Sequence, residues 1–270
     1  MIDYNKEYLV GAVQGKQKSP TLESIVKEFP EVFSGKIGKA KGVQVEIMVD
    51  ESVTPVVQWP RKFPINLTDA TREKMEFLTG EDIVERFPDT EPRTWVSPPV
   101  VSIKPDGGVR LCVDMRLVNN AIKRPFTQIP TMEDVKAKFA GATRFSKLDL
   151  KEAYHQIELE PKSRNLTEYY GPDGLYRYKR LNYGTKSAQD ILQIQMQKML
   201  VDVPHQMNIA DDILIGGSPE EHDSALRQVI QVLWENGYTL NIKKCIIDAE
   251  EVIFAGLLFG EKGVRPDPKT

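Results

Sequence analysis

With 270 residues, 40% of them hydrophobic, the chain is long enough to bury a substantial core, expected as two subdomains. It has no apolar run of membrane-spanning length and no signal-peptide character at its start, and its cysteines, Cys112 and Cys245, lack partners at zinc spacing; a membrane role is excluded and an intracellular protein with reduced core thiols is expected. A net charge of −3 decides nothing about nucleic acid, because the bases cluster: Lys104, Arg110, Arg116, Lys123 and Arg124 in one stretch, Arg177, Lys179, Arg180 and Lys186 in another.

Residues 1–60 carry few chemical signals. Leu22, Ile25 and Val26 fit a short helix stopped by Pro30, and residues 43–48 alternate like a strand. Pro60 and Pro64 mark an extended crossing. Thr68 reads as an N-cap, with Asp69 in the first turn and Gly80 after the last. Residues 100–103, the turn Pro105-Asp106-Gly107-Gly108 and residues 109–113 predict a β-hairpin. Thr131 with Asp134 has the form of a capping box, opening a helix through Val135 and Phe139 that Gly141 ends.

Residues 144–150 predict a buried strand that presents Asp149 at its end. Residues 166–170 and 175–178 predict a second hairpin about Gly171-Pro172-Asp173-Gly174. Its tyrosines Tyr169, Tyr170, Tyr176 and Tyr178 interleave with Arg177, Lys179 and Arg180, a mixture that can stack bases and hold phosphates or simply pack. A helix is expected from Lys186 to about Leu200. Met207 and Ile209, then Ile213 and Ile215, alternate around Asp211 and Asp212, which predicts strand, tight turn and strand with both aspartates at the tip. Ser218, Pro219 and Glu221 announce another helix, with Leu226, Val229, Ile230 and Leu233 on its buried face and Gly237 closing it. His222 is placed on the exposed first turn, and His155, His205 and His222 lack the companions a metal site needs. Residues 240–242 and 252–259 read as strands.

Adjacent carboxylates between apolar strands repel each other, and a hard divalent cation removes that conflict. Asp149 supplies a third acid, and three carboxylates suit two-metal phosphoryl transfer.

The runs FSKLDLKEAYHQI (residues 145–157), GLYRYKRLNYG (174–184) and NIADDILIG (208–216) resemble the polymerase blocks of reverse transcriptases, most closely those of animal gypsy-type LTR retroelements, and the similarity covers nearly the whole chain in order. The resemblance implies an α+β fold: the fingers and palm of a right-hand polymerase, an antiparallel sheet backed by helices, with the thumb largely absent. It implies a lead-in at 1–60, fingers at 61–140 and 163–186, palm at 141–162 and 187–260, and the start of a thumb or connection at 261–270. The implied reaction is template-directed transfer of nucleotides from dNTPs to a primer 3′-hydroxyl. Asp149, Asp211 and Asp212 would be catalytic and would bind two Mg²⁺, with Mn²⁺ as a substitute. Lys104 and Arg110 would meet the triphosphate, Tyr154 would be the steric gate against a 2′-hydroxyl, and Tyr183 and Gly184 would lie against the nascent base pair. Arg177, Lys179 and Arg180 would contact nucleic acid.

The implied partners are an RNA or DNA template with its primer, dNTPs, and RNase H or connection segments or a second polymerase chain. The implied location is the cytoplasm, in element-encoded particles. Four departures from the family pattern stand out: Gln189 and Leu192 where proline and phenylalanine are usual, Ile209 where many members have tyrosine, and Ala255 where leucine is usual. With the missing thumb, the departures at 189, 192 and 255 leave open a weak or inactive nucleic-acid-binding module, or a subunit of a larger assembly.

Overall fold

The computed structural model describes residues 20–61, 63–88, 90–103 and 107–267; the first nineteen residues and Lys104, Pro105 and Asp106, on which the expected hairpin turn falls, lie outside them. The chain begins with α1 (Leu22–Glu28), β1 (Gln44–Val45), α2 (Thr68–Gly80) and β2 (Val84–Arg86). A hairpin of β3 (Pro99–Ile103) and β4 (Val109–Val113) leads to α3 (Arg116–Ala121) and α4 (Met132–Lys138). Then come β5 (Arg144–Asp149), β6 (Glu158–Leu159), α5 (Pro161–Arg164), β7 (Tyr169–Gly171) and β8 (Gly174–Tyr178). The second half runs α6 (Ala188–Met199), β9 (Gln206–Ile209), β10 (Asp212–Gly217) and α7 (Pro219–Glu235). It closes with β11 (Ile246–Ala249), β12 (Glu251–Phe254), β13 (Leu257–Gly260) and β14 (Gly263–Pro266).

The central sheet has the order β11-β5-β10-β9, and every pairing in it is antiparallel. Period-two alternation sends Leu148, Ile213 and Ile215 to one face, against Leu226, Val229, Ile230 and Leu233 of α7. Phe145 and Leu214 go to the other, where Val135, Phe139, Phe254 and Phe259 cover them. Each of these side chains contributes roughly 1.5–3 kcal/mol by burial. A one-residue slip would exchange the two faces, so packing fixes the register. That register sets Asp212 directly opposite Asp149. Gly216 is required on the second face, because a Cβ there would come within 2.9 Å of both the Phe139 and Phe145 rings.

Both expected capping boxes form, Thr131 with Asp134 ahead of α4 and Ser218 with Glu221 ahead of α7. Other expectations need correction. A 3₁₀ turn over Ile65–Leu67 precedes α2, so Thr68 is its first helical residue rather than its cap, the Thr68 hydroxyl donates back to the Pro64 carbonyl, and Gly80 ends the helix from inside. Strand pairing over residues 43–48 is confined to β1, which lies parallel to β6. Asn165–Thr167 is a 3₁₀ turn, which shortens the strand expected over 166–170 to β7. Residues 240–242 make a single bridge, Leu240 to Leu150, and residues 252–259 are a hairpin turning at Ala255 and Gly256, both at positive φ. Cys245 is buried, whereas Cys112 on β4 is half-buried; both are free thiols.

His222 is fully buried rather than exposed. Its Nε2 shares a 2.8 Å hydrogen bond with the Ser146 hydroxyl of β5, and Ser146 Oγ also accepts the Asp248 N–H of β11. Burial holds the imidazole below its ordinary pKa, favouring the neutral ring that a helix–sheet contact needs.

Glu168, just ahead of β7, is fully buried, and neither of its carboxylate oxygens has a partner among the described residues. Burial pushes its pKa up to about 7, from an ordinary value of 4.5. The folded state therefore holds this proton more tightly than the unfolded state. The associated stability is complete below pH 4.5 and is lost as pH rises through 7, by roughly 3 kcal/mol. Glu168→Gln removes the titration. Urea unfolding of both proteins should show the variant's advantage growing between pH 5 and pH 8; an advantage independent of pH contradicts the assignment.

Candidate active site

The β9–β10 turn is built from Ala210 and Asp211, flanked by the pair Ile209 and Asp212. Asp212 thus opens β10, and of the two aspartates only Asp211 occupies the tip. Ala210 has φ of +52°, an uncommon conformation for a residue with a Cβ. Gln193 of α6 holds it: the side-chain oxygen accepts the Ala210 N–H at 2.8 Å, and the side-chain amide donates to the Asn208 carbonyl at 3.1 Å. Sequence reasoning gave Gln193 no role, because only the fold brings it to the turn.

Asp149 is 6% exposed. Its Oδ2 accepts from Lys244 Nζ at 3.1 Å, and Lys147 Nζ lies 3.1 Å from Asp212 Oδ2. The Oδ1 atoms of both aspartates are buried and have no hydrogen-bond partner among the described residues. Burial raises the Asp149 pKa above the usual carboxylate range, Lys244 opposes the rise, and Asp212 and Asp211 add to it. Asp211 is exposed and joins through its backbone, whose carbonyl accepts the Leu150 N–H at 3.0 Å. As they stand, no three acidic, histidine or cysteine side chains among the described residues form a ready metal cage. The donor chemistry nevertheless fits a hard divalent ion: two unpartnered buried carboxylate oxygens, a third acid one peptide away, and like-charge repulsion that two lysines only partly offset. Lys147 lies on the same strand face as Asp149, so its place was readable from alternation. Lys244 carried no such signal.

The Tyr154 ring meets Tyr183 edge to face, with centroids 5.0 Å apart. Burial raises the pKa of both tyrosines, and the negative charge of Asp211 adds to the rise, behind Glu152 in the case of Tyr183. Gly184 has φ of +96°, and a Cβ there would sit 3.1 Å from the Val113 carbonyl; glycine lets this loop close on the base of the β3–β4 hairpin. Asn119 adds a hydrogen bond to the Gly184 carbonyl at 2.9 Å. Arg110 is exposed on β4, opposite Ser102, and forms no ion pair among the described residues. Lys104 lies outside the described residues.

The three residues expected to contact nucleic acid all have partners within the protein. Arg177 donates to Glu85 at 2.7 Å, and to Glu91 and Asn165 at 2.6 Å each. Lys179 pairs with Asp82. Arg180, 4% exposed, donates to the carbonyls of Asp82, Gly38 and His155. These cations tie segments of the chain together.

The departure at the start of α6 has its own compensation. Asp190 is buried in the helix's first turn and takes two hydrogen bonds from the Arg124 guanidinium, at 2.7 and 2.8 Å. A carboxylate near a helix N-terminus is favoured by the helix dipole, and the bidentate pair fixes the loop ahead of α4 against it.

An antiparallel sheet backed by helices, with an aspartate-bearing hairpin at one end and a further β-hairpin preceding it in the chain, is the fingers and palm of a right-hand polymerase. The sequence profile of the reverse transcriptase (RNA-dependent DNA polymerase) family matches residues 103–259, more than half of the chain, and the chain belongs to that family. In sequence it is similar to an uncharacterized protein of Caenorhabditis elegans, K02A2.6, at 32% identity over 253 residues, covering 92% of this chain and 20% of that protein. It is also similar to the transposon Tf2-3 polyprotein of Schizosaccharomyces pombe, at 28% identity over 260 residues, with 92% and 19% covered. The chain thus spans about a fifth of the length of these curated relatives. In fold it is similar to the foamy viral protease-reverse transcriptase in complex with an RNA/DNA hybrid, with a TM-score of 0.81 at 18% identity, covering 92% of this chain and 33% of that one. The same viral protein in complex with dsDNA gives 0.79 at 18% identity, with 92% and 52% covered.

Proposed function

We propose that the chain catalyses template-directed DNA synthesis, transferring nucleotides from dNTPs to a primer 3′-hydroxyl on an RNA or DNA template. The observation that carries this reading is the register of the central sheet, which sets Asp149 and Asp212 face to face with one unpartnered buried oxygen each, beside the Asp211 turn. Asp149, Asp211 and Asp212 would hold two Mg²⁺, or Mn²⁺ in their place. Such ions, when bound, supply Lewis-acid activation of the attacking hydroxyl and neutralise phosphate charge. The rest of the work falls to side chains of this chain. Tyr154 and Tyr183 form an aromatic shelf next to the acids, on which a nucleotide can be oriented and its sugar tested. Arg110 offers an exposed fork to phosphate, and Gly184 lets the backbone come close.

The sequence motifs are the ground for a source of gypsy type and animal origin; the transposon polyprotein relative supports a mobile genetic element, with the larger remainder of a polyprotein as natural partner. The nucleic acids in the viral complexes support an RNA/DNA hybrid or duplex DNA as the bound partner. We place the lead-in at 1–60, fingers at 61–140 and 163–186, palm at 141–162 and 187–260, and the start of a thumb or connection at 261–270. No helix among the described residues is long and apolar enough to cross a membrane, which is compatible with cytoplasmic particles. An inactive relic is disfavoured, because all three acids are kept and the altered start of α6 has the Arg124–Asp190 pair in compensation. The test is extension of a DNA primer on an RNA template by the full chain. The expected result is Mg²⁺-dependent incorporation of the complementary dNTP. Absence of extension with either Mg²⁺ or Mn²⁺ overturns the reading.

A further inference from the structure

We infer that Glu152 is a positioning residue that fixes the Tyr183 ring beside Tyr154 and thereby sets how tightly the chain holds an incoming nucleotide; the inference rests on the polymerase reading above. Glu152 follows β5 by three residues and stands in the left-handed region, at φ 47° and ψ 52°. That conformation is unfavourable for a residue with a Cβ and persists only where the surroundings over-determine it. What it achieves here is visible in the side chain. Glu152 Oε2 accepts the Tyr183 hydroxyl at 3.2 Å, across a sequence separation of 31 residues.

The Tyr183 ring is held on two more sides. Tyr154 packs against it edge to face, and His155 does the same at 5.2 Å. His155 is itself buried and stacked on Tyr178 at 5.8 Å; neither ring nitrogen has a hydrogen-bond partner among the described residues, and its Nδ1 lies 3.9 Å from Glu152 Oε2, so the imidazole packs between the tether and the ring it holds. Packing alone leaves a 36%-exposed tyrosine free to swing outward. The Glu152 bond is the tether that stops it. Glu152 also differs from the acids of the site in one respect: the free oxygens of Asp149 and Asp212 are buried beside each other, whereas the Glu152 side chain is a third exposed and is held by Tyr183 through Oε2. It therefore orients the shelf rather than joining the metal ligands.

A tether of this kind acts on binding more than on the chemical step. Steady-state extension of a DNA primer on an RNA template, with dNTP and Mg²⁺ each varied, reads the difference. Glu152→Ala should raise KM for dNTP about tenfold and leave kcat within about threefold, as loss of a charge-assisted hydrogen bond that orients substrate would. Tyr183→Phe removes the same bond from the other side and should match it, with the double variant no worse than either single one. Glu152→Gln, whose amide oxygen still accepts the hydroxyl, should restore most of the affinity. An unchanged KM in both Glu152→Ala and Tyr183→Phe, or additive effects in the double variant, overturns the inference. So does a loss confined to kcat with a raised Mg²⁺ requirement, which would make Glu152 a metal ligand. Tyr183→Phe, which removes a single oxygen, carries the test if Glu152→Ala does not fold. An unsubstituted chain that extends no primer is the distinct outcome in which the polymerase reading itself fails.

Discussion

Asp149→Asn should abolish primer extension, lowering the rate by at least about 1000-fold, roughly 4 kcal/mol of transition-state stabilisation. Asparagine keeps the shape and one acceptor oxygen but removes the charge, and charge is what a divalent ion and the developing phosphate anion require. The folded state should respond in the opposite sense. Asp149 is a buried carboxylate whose pKa burial has raised, with Asp212 and Asp211 adding to the rise, so the native protein holds this charge at a cost. Neutralising it removes both the desolvation and the repulsion, and leaves Lys244 close enough to the surface to be hydrated. Urea unfolding should therefore show stability unchanged or increased while extension is lost. Asp211→Asn should also abolish extension; because Asp211 is exposed at the turn, its substitution should leave stability unaltered. Loss of activity accompanied by unfolding would point to a structural role for these acids.

The second large effect concerns the sugar. Tyr154 is proposed as the gate that leaves no room for a 2′-hydroxyl, and its ring is fixed by contact with Tyr183. Tyr154→Val replaces a ring with a branched aliphatic side chain and opens the space. Discrimination between dNTP and rNTP, measured as the ratio of kcat/KM in single-nucleotide insertion, should fall on the order of 10- to 100-fold, since exclusion by shape is worth roughly 1–3 kcal/mol. An unchanged ratio would make Tyr154 a packing residue and move the gate elsewhere.

How far sequence reasoning reached depended on the range of the interaction. Ser218 with Glu221 and Thr131 with Asp134 satisfy their helix ends within three residues, so both capping boxes were legible. The alternation around Asp211 and Asp212 revealed the hairpin, and the apolar run into Asp149 revealed β5, because each strand's pattern is local. Their apposition followed only from the sheet register, which the two buried faces impose together. His222 was misplaced because a helix's first turn is usually exposed; here Ser146, 76 residues away, draws that turn onto the sheet. The intramolecular partners of Arg177 and Arg180 were illegible for the same reason. Beside tyrosines they have the composition of a nucleic-acid surface, but their partners, Glu85, Glu91 and the Gly38 carbonyl, are distant in sequence and decide where the charge goes. Thr68 failed more locally, since a 3₁₀ turn ahead of α2 moved the helix start off the residue best suited to cap it.

On the proposed function, carboxylates from β5 and from the β9–β10 hairpin share divalent ions. Binding of Mn²⁺ to the full chain, followed by electron paramagnetic resonance in the presence of primer–template and a non-reactive dNTP analogue, tests it without relying on turnover. Tight Mn²⁺ sites in the unsubstituted protein that disappear in both Asp149→Asn and Asp211→Asn are the predicted result. Mn²⁺ binding of equal strength and stoichiometry in all three proteins would contradict the account.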